Sequence, residues 1–464
     1  MMVRHDLHLR APGNWVNDPN GFIFFKGKYH LFYQYFPYAP VWGTMHWGHA
    51  VSEDLVHWEH VGAALFPTVY EDQNGCFSGS ALEHDGRMYL YYTGIHYKEA
   101  DPKNIHACVG DDFQACQLMI SSEDGMSFDN FSGKRVVVPV IEDEETGDPK
   151  DTRDPKVWQE DGNFYMILGS TYRKETGRAV IYKSRDGENW EYASQLRSSR
   201  FGRILECPDI FKVGDVHVFM GSPMYIEEDA GGYEHHAVCM TAGFDTDTCT
   251  LTFPEEDEWK ERGDDSSGRR EDLLSPGRYQ YVDYGLDLYA PQTNVDKEGR
   301  RVMIAWLRMP KAVEEPVEKP WIGMMSLPRV VEVSDGHIYF RVHPEVEKYF
   351  GKRVAAEETW ERNMPELPYR IRTELGEGEM LDVGGYKIWR ERGFVKTDRS
   401  EVFAGIQGHR LISTTPKICE CRLDIFVDKN LIEVFVNEGQ YVISSVVYGL
   451  GRQARGRIKE MWTA

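Results

Sequence analysis

A short pattern of polar and apolar residues recurs five times along the first two-thirds of the chain. Each copy is a turn glycine followed by a run of apolar and aromatic residues. The copies begin at Gly27, Gly86, Gly162, Gly214 and Gly299. Each run is bounded by turn residues and is too short for a typical helix, so the pattern predicts five β-strands that follow tight turns.

A second element, Ser-x-Asp-x-x-x-Trp/Phe, follows three of these copies. It runs from Ser52 to Trp58, from Ser122 to Phe128 and from Ser184 to Trp190. Its position after the glycine-led strand predicts the outer hairpins of the same repeating unit.

Five copies of a multi-strand unit, with almost no convincing amphipathic helix between them, predict an all-β five-bladed β-propeller. In that fold the innermost strands line a central channel. A sandwich built from the same strands is the alternative, which the regular recurrence disfavours.

The chain changes character after the fifth copy. The proline- and charge-rich segment Pro310–Pro320 predicts a surface excursion, and the repeat is absent beyond Pro328. Hairpin-like pairs follow, with Arg422–Val427 turning into Leu431–Val436 and then Tyr441–Val447. We therefore expect residues 1–330 to form the propeller and residues 331–464 a C-terminal antiparallel β-sandwich.

Composition narrows the classes of partner. A net charge of -22 over 464 residues argues against nucleic acid and anionic membranes, because both require a basic face. The same charge also serves simply to keep a protein soluble. The start of the chain has no apolar signal region, no run approaches ~18 apolar residues, and the eight cysteines show no C-x-x-C pair. These features predict a soluble, cytoplasmic protein with reduced thiols and no membrane partner.

Acidic residues occur at a repeated offset from the turn glycines. The set consists of Asp18 nine residues before Gly27, and Asp154, Glu206 and the hydroxyl residue Ser78 each eight residues before Gly162, Gly214 and Gly86. This offset corresponds to the innermost strand of a blade. The sequence therefore predicts that three carboxylates converge on the channel mouth.

Three converging carboxylates suit glycoside cleavage. That reaction uses a general acid for the leaving oxygen and a second carboxylate across the anomeric carbon, while a third can offset positive charge in the transition state. Taken alone, each motif also has a structural interpretation: Asp18 an ordinary turn before a strand, and Arg153-Asp154 an ion pair at a turn. The joint pattern favours the catalytic interpretation.

Six ordered motifs closely resemble glycoside hydrolase family 32. They are Trp15-Val16-Asn17-Asp18-Pro19-Asn20-Gly21, Phe32-Tyr33-Gln34-Tyr35, Trp42-Gly43-x-x-His46-Trp47-Gly48-His49-Ala50, Phe77-Ser78-Gly79-Ser80, Arg153-Asp154-Pro155 and Glu206-Cys207-Pro208. The resemblance covers essentially the whole chain. It implies a five-bladed propeller with a C-terminal sandwich and a retaining mechanism on β-D-fructofuranosides.

The resemblance also implies residue roles. Asp18 would be the nucleophile, Glu206 the general acid/base and Asp154 the transition-state stabiliser. The implied substrate-binding residues are Trp15, Asn17, Gln34, Trp42, Phe77, Ser78, Arg153 and Cys207. The family usually has Gly at the position of Asn14 and Met at that of Val16, so these two residues are expected to tune the pocket.

Other polar residues lead to further expectations. The histidine pairs at spacing three, His46 with His49 and His57 with His60, would project to opposite faces of strands, so neither a metal nor a cofactor is expected. Asp283 and Asp287, which stand near Tyr289-Ala-Pro-Gln292, are expected to belong to the fifth inner strand and to reach the channel rim.

The sequence thus predicts a hydrolase that releases fructose from sucrose, sucrose-6-phosphate or short fructooligosaccharides, with a small sugar as its partner and a monomeric or homodimeric state. A fructosyltransferase using the same three carboxylates is one alternative. A non-catalytic fructan-binding propeller is another, which the intact carboxylates argue against. The sequence leaves open the choice between sucrose and its 6-phosphate.

Overall fold

The computed structural model describes residues 7–226, 235–254, 279–285, 287–316, 318–354, 361–403 and 405–464. It is an all-β protein in which a five-bladed propeller is followed by a β-sandwich. Both predicted parts of the fold are therefore confirmed.

The first three blades follow one another along the chain. Blade 1 contains β1–β4, which are Asn14–Phe25, Lys28–Phe36, His46–Ser52 and Trp58–Leu65. Blade 2 contains β5 and β6 (Cys76–His84, Arg87–Tyr97), a side hairpin β7–β8 (Ala100–Asp101, Asn104–Cys108), and β9 and β10 (Phe113–Ser122, Arg135–Val138). Blade 3 contains β11–β14, which are Arg153–Glu160, Asn163–Tyr172, Thr176–Ser184 and Glu191–Arg197.

The last two blades are more irregular. Blade 4 contains β15–β19, which are Ile204–Val213, Val216–Met224, Val238–Asp245, Thr250–Thr252 and Gln280–Tyr281. Blade 5 contains β20 and β21 (Leu288–Val295, Arg301–Leu307) and β23–β25 (Met324–Met325, Arg329–Ser334, His337–Val342), while β22 (Trp321–Ile322) joins blade 1. Short 3-10 turns are Tyr70–Asp72, Val109–Asp111, Ser199–Phe201 and Ser400–Val402, and the helix α1 is Pro344–Tyr349.

The first strands of the five blades form a closed ring. β1 contacts β5, β5 contacts β11, β11 contacts β15, β15 contacts β20, and β20 contacts β1. Such closure around a channel defines a propeller. The alternative that these strands form a sandwich is wrong, because a sandwich would not bring the first and fifth units together in a ring.

The five repeat glycines occupy the turn between the first and second strand of each blade. Their φ angles lie between 60° and 83°, a region that residues with a Cβ adopt at a cost. The recurrence seen in the sequence therefore marks one backbone turn used five times.

The Ser-x-Asp elements connect the third and fourth strands of blades 1, 2 and 3, so the prediction of outer hairpins is confirmed. In each, the serine hydroxyl accepts a hydrogen bond from the backbone N–H three residues later, at 2.9 Å in all three turns. The aspartate two residues after the serine accepts further backbone N–H groups. These local side-chain bonds stabilise the turn without help from the rest of the fold.

Blade 5 closes the ring onto blade 1. After the segment predicted as a surface excursion, Trp321–Ile322 pairs in parallel with Asn14 and Trp15. The backbone N–H of Asn14 donates to the carbonyl of Pro320 at 2.7 Å. The start of the inner strand that carries Asp18 is thereby attached to the end of the propeller.

The strand Arg329–Ser334 pairs with β21 on one side and with His337–Val342 on the other. The predicted division after residue 330 falls within the first of these strands and stays a prediction. We propose that the propeller instead extends through Val342, because both strands belong to its fifth sheet.

The sandwich consists of two six-stranded sheets. One contains β26, β28, β33–β35 and β37 (Lys352–Val354, Tyr369–Glu374, Arg422–Val427, Leu431–Val436, Tyr441–Val446, Glu460–Thr463). The other contains β27, β29–β32 and β36 (Glu361–Asn363, Met380–Val383, Tyr386–Glu391, Phe394–Asp398, Ile412–Thr414, Gln453–Arg455). The predicted hairpins are present, and apolar side chains of blades 4 and 5 pack into the same core as those of the sandwich. Within the described ranges, no helix has the length and hydropathy needed to span a membrane.

Candidate active site

The inner strands of blades 3, 4 and 5 share a bulge at the same place. Two residues in each strand have no partner opposite, and they are Asp154-Pro155, Cys207-Pro208 and Ala290-Pro291. The first residue of each pair has a positive φ, of 63°, 45° and 49° respectively. Because a bulge re-aims side chains next to the break in pairing, these positions turn polar groups toward the channel mouth.

The bulges correct the register inferred from the turn glycines. Glu206 is the last paired residue before its bulge, so its structural equivalents are Arg153 and Tyr289. The equivalent of Asp154 in blade 4 is Cys207. Counting back from the glycine missed this shift by one residue, because Gly162 is the second residue of its two-residue turn whereas Gly214 is the first residue of its own.

Asp18 lies on the inner strand of blade 1 and is held by three neutral donors. The Ser78 hydroxyl donates to Asp18 Oδ2 at 2.6 Å and the Asn17 amide donates to Oδ1 at 3.2 Å. The Cys207 thiol approaches Oδ2 at 3.4 Å. Burial raises the pKa of Asp18 above its ordinary value, the Ser78 hydrogen bond opposes the rise, and the charge of Glu206 adds to it.

Asp154 is more deeply buried, with 7% of its surface exposed. The backbone N–H of Cys207 donates to its Oδ2 at 2.9 Å, and its own N–H donates to the Thr93 hydroxyl at 2.9 Å. Burial raises the pKa of Asp154 to about 7, against the influence of Arg153 and with that of Glu206. Its carboxyl group is thus held from blade 4 and its backbone from blade 2.

Glu206 is held on both oxygens by the residues equivalent to it in the adjacent blades. Arg153 Nη2 donates to Oε1 at 2.8 Å, and the Tyr289 hydroxyl donates to Oε2 at 2.7 Å. Its side chain keeps 22% of its surface exposed. Glu206 therefore combines a defined orientation with access from the channel mouth.

Arg153 is itself anchored from behind. Its Nη1 donates to Asp151 at 2.6 Å, and Lys174 donates to the other oxygen of Asp151 at 2.7 Å. The guanidinium of Arg153 is thereby shared between Asp151 and Glu206, and its hydrogen bonds go to these two residues rather than to Asp18 or Asp154.

Cys207 joins two of the three carboxylates. Its sulfur lies 3.4 Å from Asp18 Oδ2 and 3.7 Å from Asp154 Oδ2. Burial, together with the negative charges of Asp154 and Asp18, raises the pKa of the Cys207 thiol well above its usual range. The thiol stays protonated and acts as a weak donor between two anions.

The remaining predicted binding residues take different positions. Trp15 donates its indole N–H to the Asn17 amide oxygen at 2.7 Å, which orients the amide that contacts Asp18. Trp42 is 45% exposed and meets the ring of Phe77 edge-on at 6.0 Å between centroids. The inner strand of blade 1 also has a bulge, between Val16 and Pro19. Gln34 is buried opposite this blade 1 bulge, and its amide donates to the Cys76 carbonyl at 3.0 Å.

Asn14 and Val16, which depart from the family pattern, have roles in the backbone conformation and in the core. Asn14 has φ 67°, a conformation that glycine and asparagine tolerate best, and its amide donates to the Pro37 carbonyl at 2.6 Å. Val16 is 1% exposed and packs in the core of blade 1. The expectation that Val16 tunes the pocket is therefore not supported by its contacts.

Asp283 and Asp287 do not lie at the channel rim, and that expectation is wrong. Asp283 accepts from Arg329 and from Ser444, and Asp287 accepts from Arg399 and from the N–H of Val446. Both belong to the contact between blade 5 and the sandwich.

Sequence reasoning missed Tyr289 and Asp151 as part of the site. Both occur in motifs that were visible, Tyr289-Ala-Pro and Asp151-Thr-Arg-Asp. The usable signal was the pair Ala290-Pro291 after Tyr289, which matches Asp154-Pro155 and marks the bulge of blade 5.

The arrangement can perform acid–base and nucleophilic chemistry on a neutral, hydroxyl-rich substrate. Asp18 comes from blade 1 and lies next to the Cys207 sulfur. Glu206 comes from blade 4 and directly precedes Cys207 on its inner strand. Across the part of the chain that the structure describes, no three His, Cys, Asp or Glu side chains are grouped so as to hold a metal ion.

Comparison with known proteins agrees with this geometry. The sequence model described as "Glycosyl hydrolases family 32 N-terminal domain" matches residues 8–344, and that described as "Glycosyl hydrolases family 32 C terminal" matches residues 385–458. The chain is 32% identical to a raffinose invertase of Escherichia coli, over 95% of this chain and 89% of that protein. It is 30% identical to a sucrose-6-phosphate hydrolase of Escherichia coli, over 95% of this chain and 88% of that protein.

A solved structure is similar over nearly the whole length. A Bombyx mori GH32 beta-fructofuranosidase matches with a TM-score of 0.75 and 28% identity, covering 99% of this chain and 92% of that one. A mutant of the same silkworm enzyme has been solved in complex with sucrose.

Proposed function

The chain belongs to glycosyl hydrolase family 32, and from that premise we propose that it releases fructose from sucrose-type β-D-fructofuranosides at Asp18 and Glu206. It is a glycoside hydrolase, and its partner is a small sugar. The observation that carries the residue assignment is the meeting of three inner-strand carboxylates around Cys207 and Arg153.

Asp18 is the proposed nucleophile. It accepts hydrogen bonds from Ser78 and Asn17, which favour the ionised form against the effect of burial. Attack of one carboxylate oxygen on the fructosyl C2 forms an ester bond while the bond from C2 to the bridging oxygen breaks.

Glu206 is the proposed general acid/base. In the first step its proton goes to the bridging oxygen of the leaving sugar. In the second step Glu206 accepts a proton from water, the water oxygen bonds to C2, and the ester to Asp18 breaks. The partial exposure of Glu206 and its grip by Arg153 and Tyr289 support a group that reaches the leaving oxygen in one orientation.

Asp154 is the proposed stabiliser of the transition state. It is buried and fixed by the backbone of Cys207, so it is better suited to bind sugar hydroxyls than to exchange protons with solvent. Hydroxyl donors favour its ionised form, and the resulting charge offsets the oxocarbenium-like character at C2.

We further propose that the remaining predicted residues line the fructosyl site. Asn17, Ser78, Arg153 and Cys207 contact the three carboxylates, and Trp15 orients Asn17. Trp42 and Phe77 supply an exposed aromatic edge, and Gln34 supports the blade 1 bulge from its second strand.

The test is chemical rescue of alanine variants. With an activated fructoside and added azide, Glu206→Ala should form a fructosyl azide of retained configuration, because Asp18 can still form the ester and azide needs no general base. Asp18→Ala should form none with that configuration. Rescue of Asp18→Ala but not of Glu206→Ala to a retained product would reverse the two roles.

The matched control is Glu123→Gln, which removes an exposed carboxylate far along blade 2 from the site and should leave the rates unchanged. Product analysis at high sucrose separates hydrolysis from transfer. Free fructose should dominate, and a majority of fructosyl-extended oligosaccharides would favour the transferase alternative.

The cell compartment and assembly are also proposals. All eight cysteines are free, which supports a reducing compartment such as the cytoplasm. A monomer or a homodimer is proposed, and light scattering coupled to size-exclusion chromatography would decide between them.

A further inference from the structure

Arg203 lies at the rim of the channel mouth, directly before the strand that carries Glu206. Its backbone N–H donates to the Met224 carbonyl at 2.9 Å, and its carbonyl accepts from the Thr171 hydroxyl at 2.7 Å. The preceding Gly202 has φ 60°, and a Cβ there would lie 2.1 Å from the Met224 carbonyl oxygen. The backbone at Arg203 is therefore fixed between blades 3 and 4.

The guanidinium of Arg203 is exposed and stacks on an aromatic ring. Its carbon lies 5.7 Å from the ring centre of Tyr225, which is 44% exposed. Among the residues that the structure describes, no carboxylate lies within ion-pair distance of Arg203. A guanidinium over an aromatic ring makes a cation–π contact, and its planar fork of donors matches the oxygens of a phosphate group.

An aromatic and cationic path leads from this arginine to Glu206. The Tyr225 ring meets His235 edge-on at 4.8 Å, and His235 lies 6.4 Å from the ring of Tyr289. The guanidinium of Arg308 lies 4.7 Å over that same ring, whose hydroxyl donates to Glu206. Two guanidinium groups, those of Arg203 and Arg308, therefore lie on the side of the proposed acid/base in a chain of net charge -22.

The rim of blade 3 differs. There Arg173 stacks on Tyr172 at 4.9 Å, but Glu144 lies 3.7 Å from its Nε. Nearby, Lys174 is bonded to Asp148 and Asp151. The cations of blade 3 are thus neutralised locally, whereas Arg203 is not.

The spacing suits a substrate group beyond the leaving oxygen. Arg203 stands three residues before Glu206, just outside the strand that begins at Ile204, so their backbones are at most roughly 10 Å apart at about 3.3 Å per residue. A hexose ring that carries a phosphate ester on its outer carbon is of comparable length. A dianionic group near three carboxylates would need such a cation to offset repulsion.

We propose that Arg203, stacked on Tyr225, binds a phosphate monoester on the leaving sugar, so that the preferred substrate is a phosphorylated sucrose-type disaccharide. The inference rests on the proposed function of Asp18 and Glu206, because it needs the leaving sugar to sit above Glu206. In this proposal, Arg203 alone gives the site its preference for a negatively charged leaving sugar.

The test compares kcat/KM for sucrose-6-phosphate and sucrose in the full-length protein. Arg203→Gln should lower the ratio of the two values by about 10- to 100-fold, as expected for loss of a hydrogen bond to a charged group. The value for sucrose itself should stay within about twofold. Arg203→Lys should restore part of the ratio, since lysine keeps the charge but not the fork.

Arg173→Gln is the matched control, because it removes an arginine stacked on a tyrosine at the neighbouring rim and should leave the ratio unchanged. An equal fall in Arg173→Gln would show general electrostatics, and an equal loss for both substrates in Arg203→Gln would show a structural role. Either result, or no preference for the phosphorylated sugar in the wild-type protein, overturns the inference and leaves the proposed function intact. Failure to release fructose from both sugars would instead refute the proposed function.

Inhibition by product provides a second measurement that does not depend on turnover of the phosphorylated substrate. Glucose-6-phosphate should inhibit sucrose hydrolysis by the wild-type protein more strongly than glucose, and Arg203→Gln should remove the difference. Equal inhibition by the two sugars in the wild-type protein would contradict the proposal.

Discussion

Among the residues that the structure describes, buried carboxylates at the channel mouth and at the contact with the sandwich are compensated in opposite ways. At the channel mouth, Asp18 and Asp154 receive hydrogen bonds from neutral groups, and the one adjacent cation, Arg153, is bonded to Glu206 and Asp151. Burial therefore raises the pKa of Asp18, and it raises that of Asp154 to about 7. This cluster is electrostatically strained and open to a ligand.

The second cluster lies between blade 5 and the sandwich. Arg329 is fully buried and donates to Asp283 at 2.9 Å and to Glu433 at 2.7 Å. His8 uses both ring nitrogens, toward Asp428 at 2.9 Å and Glu433 at 3.1 Å. Burial raises the pKa of Glu433, but Arg329 and His8 outweigh it and lower the pKa to about 2.

The difference shows that a buried carboxylate is not by itself a mark of function. Glu433 is fully buried and is bonded to Arg329 and His8. Its charge therefore helps to hold the sandwich against the propeller. Asp18 and Asp154 lack a bonded cation and face the mouth, so a substrate must supply the missing donors. Uncompensated charge at a cleft is the feature typical of catalytic sites.

The largest expected effect is a loss of activity, which only the cluster at the channel mouth should show. Asp18→Asn should reduce kcat/KM for sucrose by about 10⁴-fold or more, as for loss of a catalytic nucleophile, while the free energy of unfolding should not fall. Steady-state kinetics and chemical denaturation of the same preparation check both statements. Retention of wild-type kcat/KM would remove Asp18 from the mechanism.

The next effect concerns stability. Arg329→Met should lower the free energy of unfolding by about 3 to 5 kcal/mol, because it leaves buried carboxylates without their cation. Urea denaturation measures the change. Arg341→Met, which removes an exposed pair with Glu332 and Glu438, should cost less than about 1 kcal/mol. Equal costs would show that burial of the pair is unimportant.

A third effect depends on pH. Burial lowers the pKa of His8, but Asp428 and Glu433 outweigh it and raise the pKa to about 9, from 6.5. The stabilisation is therefore complete below pH 6.5 and lost as pH rises through 9, by about 3 kcal/mol. His8→Gln should abolish this fall in the unfolding free energy. An unchanged pH profile in the variant would assign the loss to other groups.

A fourth effect has the opposite sign. The folded protein raises the pKa of Asp154 to about 7 from 3.8, so ionisation of Asp154 destabilises it as pH rises between these values. Asp154→Asn should then be more stable than the wild-type protein at pH 8, by up to about 4 kcal/mol, and the gain should vanish below pH 4. Thermal unfolding across this range measures it, and a destabilised variant at pH 8 would contradict the interpretation.

Much of the fold could be predicted because its signals are local. The turn glycines and the Ser-x-Asp turns of blades 1 to 3 each depend on a few consecutive residues, and both predictions are confirmed. The boundary after residue 330 stays a prediction, because Arg329–Ser334 no longer follows the sequence repeat although it pairs with β21.

The candidate site was predicted in part. Asp18, Asp154 and Glu206 do meet, but the one-residue shift that places Cys207 opposite Asp154 depends on strand pairing. Tyr289 was missed because nothing near it in the chain shows that its hydroxyl reaches Glu206.

The sequence by itself determined the blade repeat, the proline-marked bulges and the identity of the acidic residues, because each is encoded within about ten neighbouring residues. Only the tertiary structure decided which acids are left without a cation. His8 meets Glu433 across 425 positions of sequence, and Cys207 meets Asp18 across 189. A pKa depends on such contacts and on burial, so the distinction between an acid that connects two domains and one that can act on a sugar arises only when distant segments pack together.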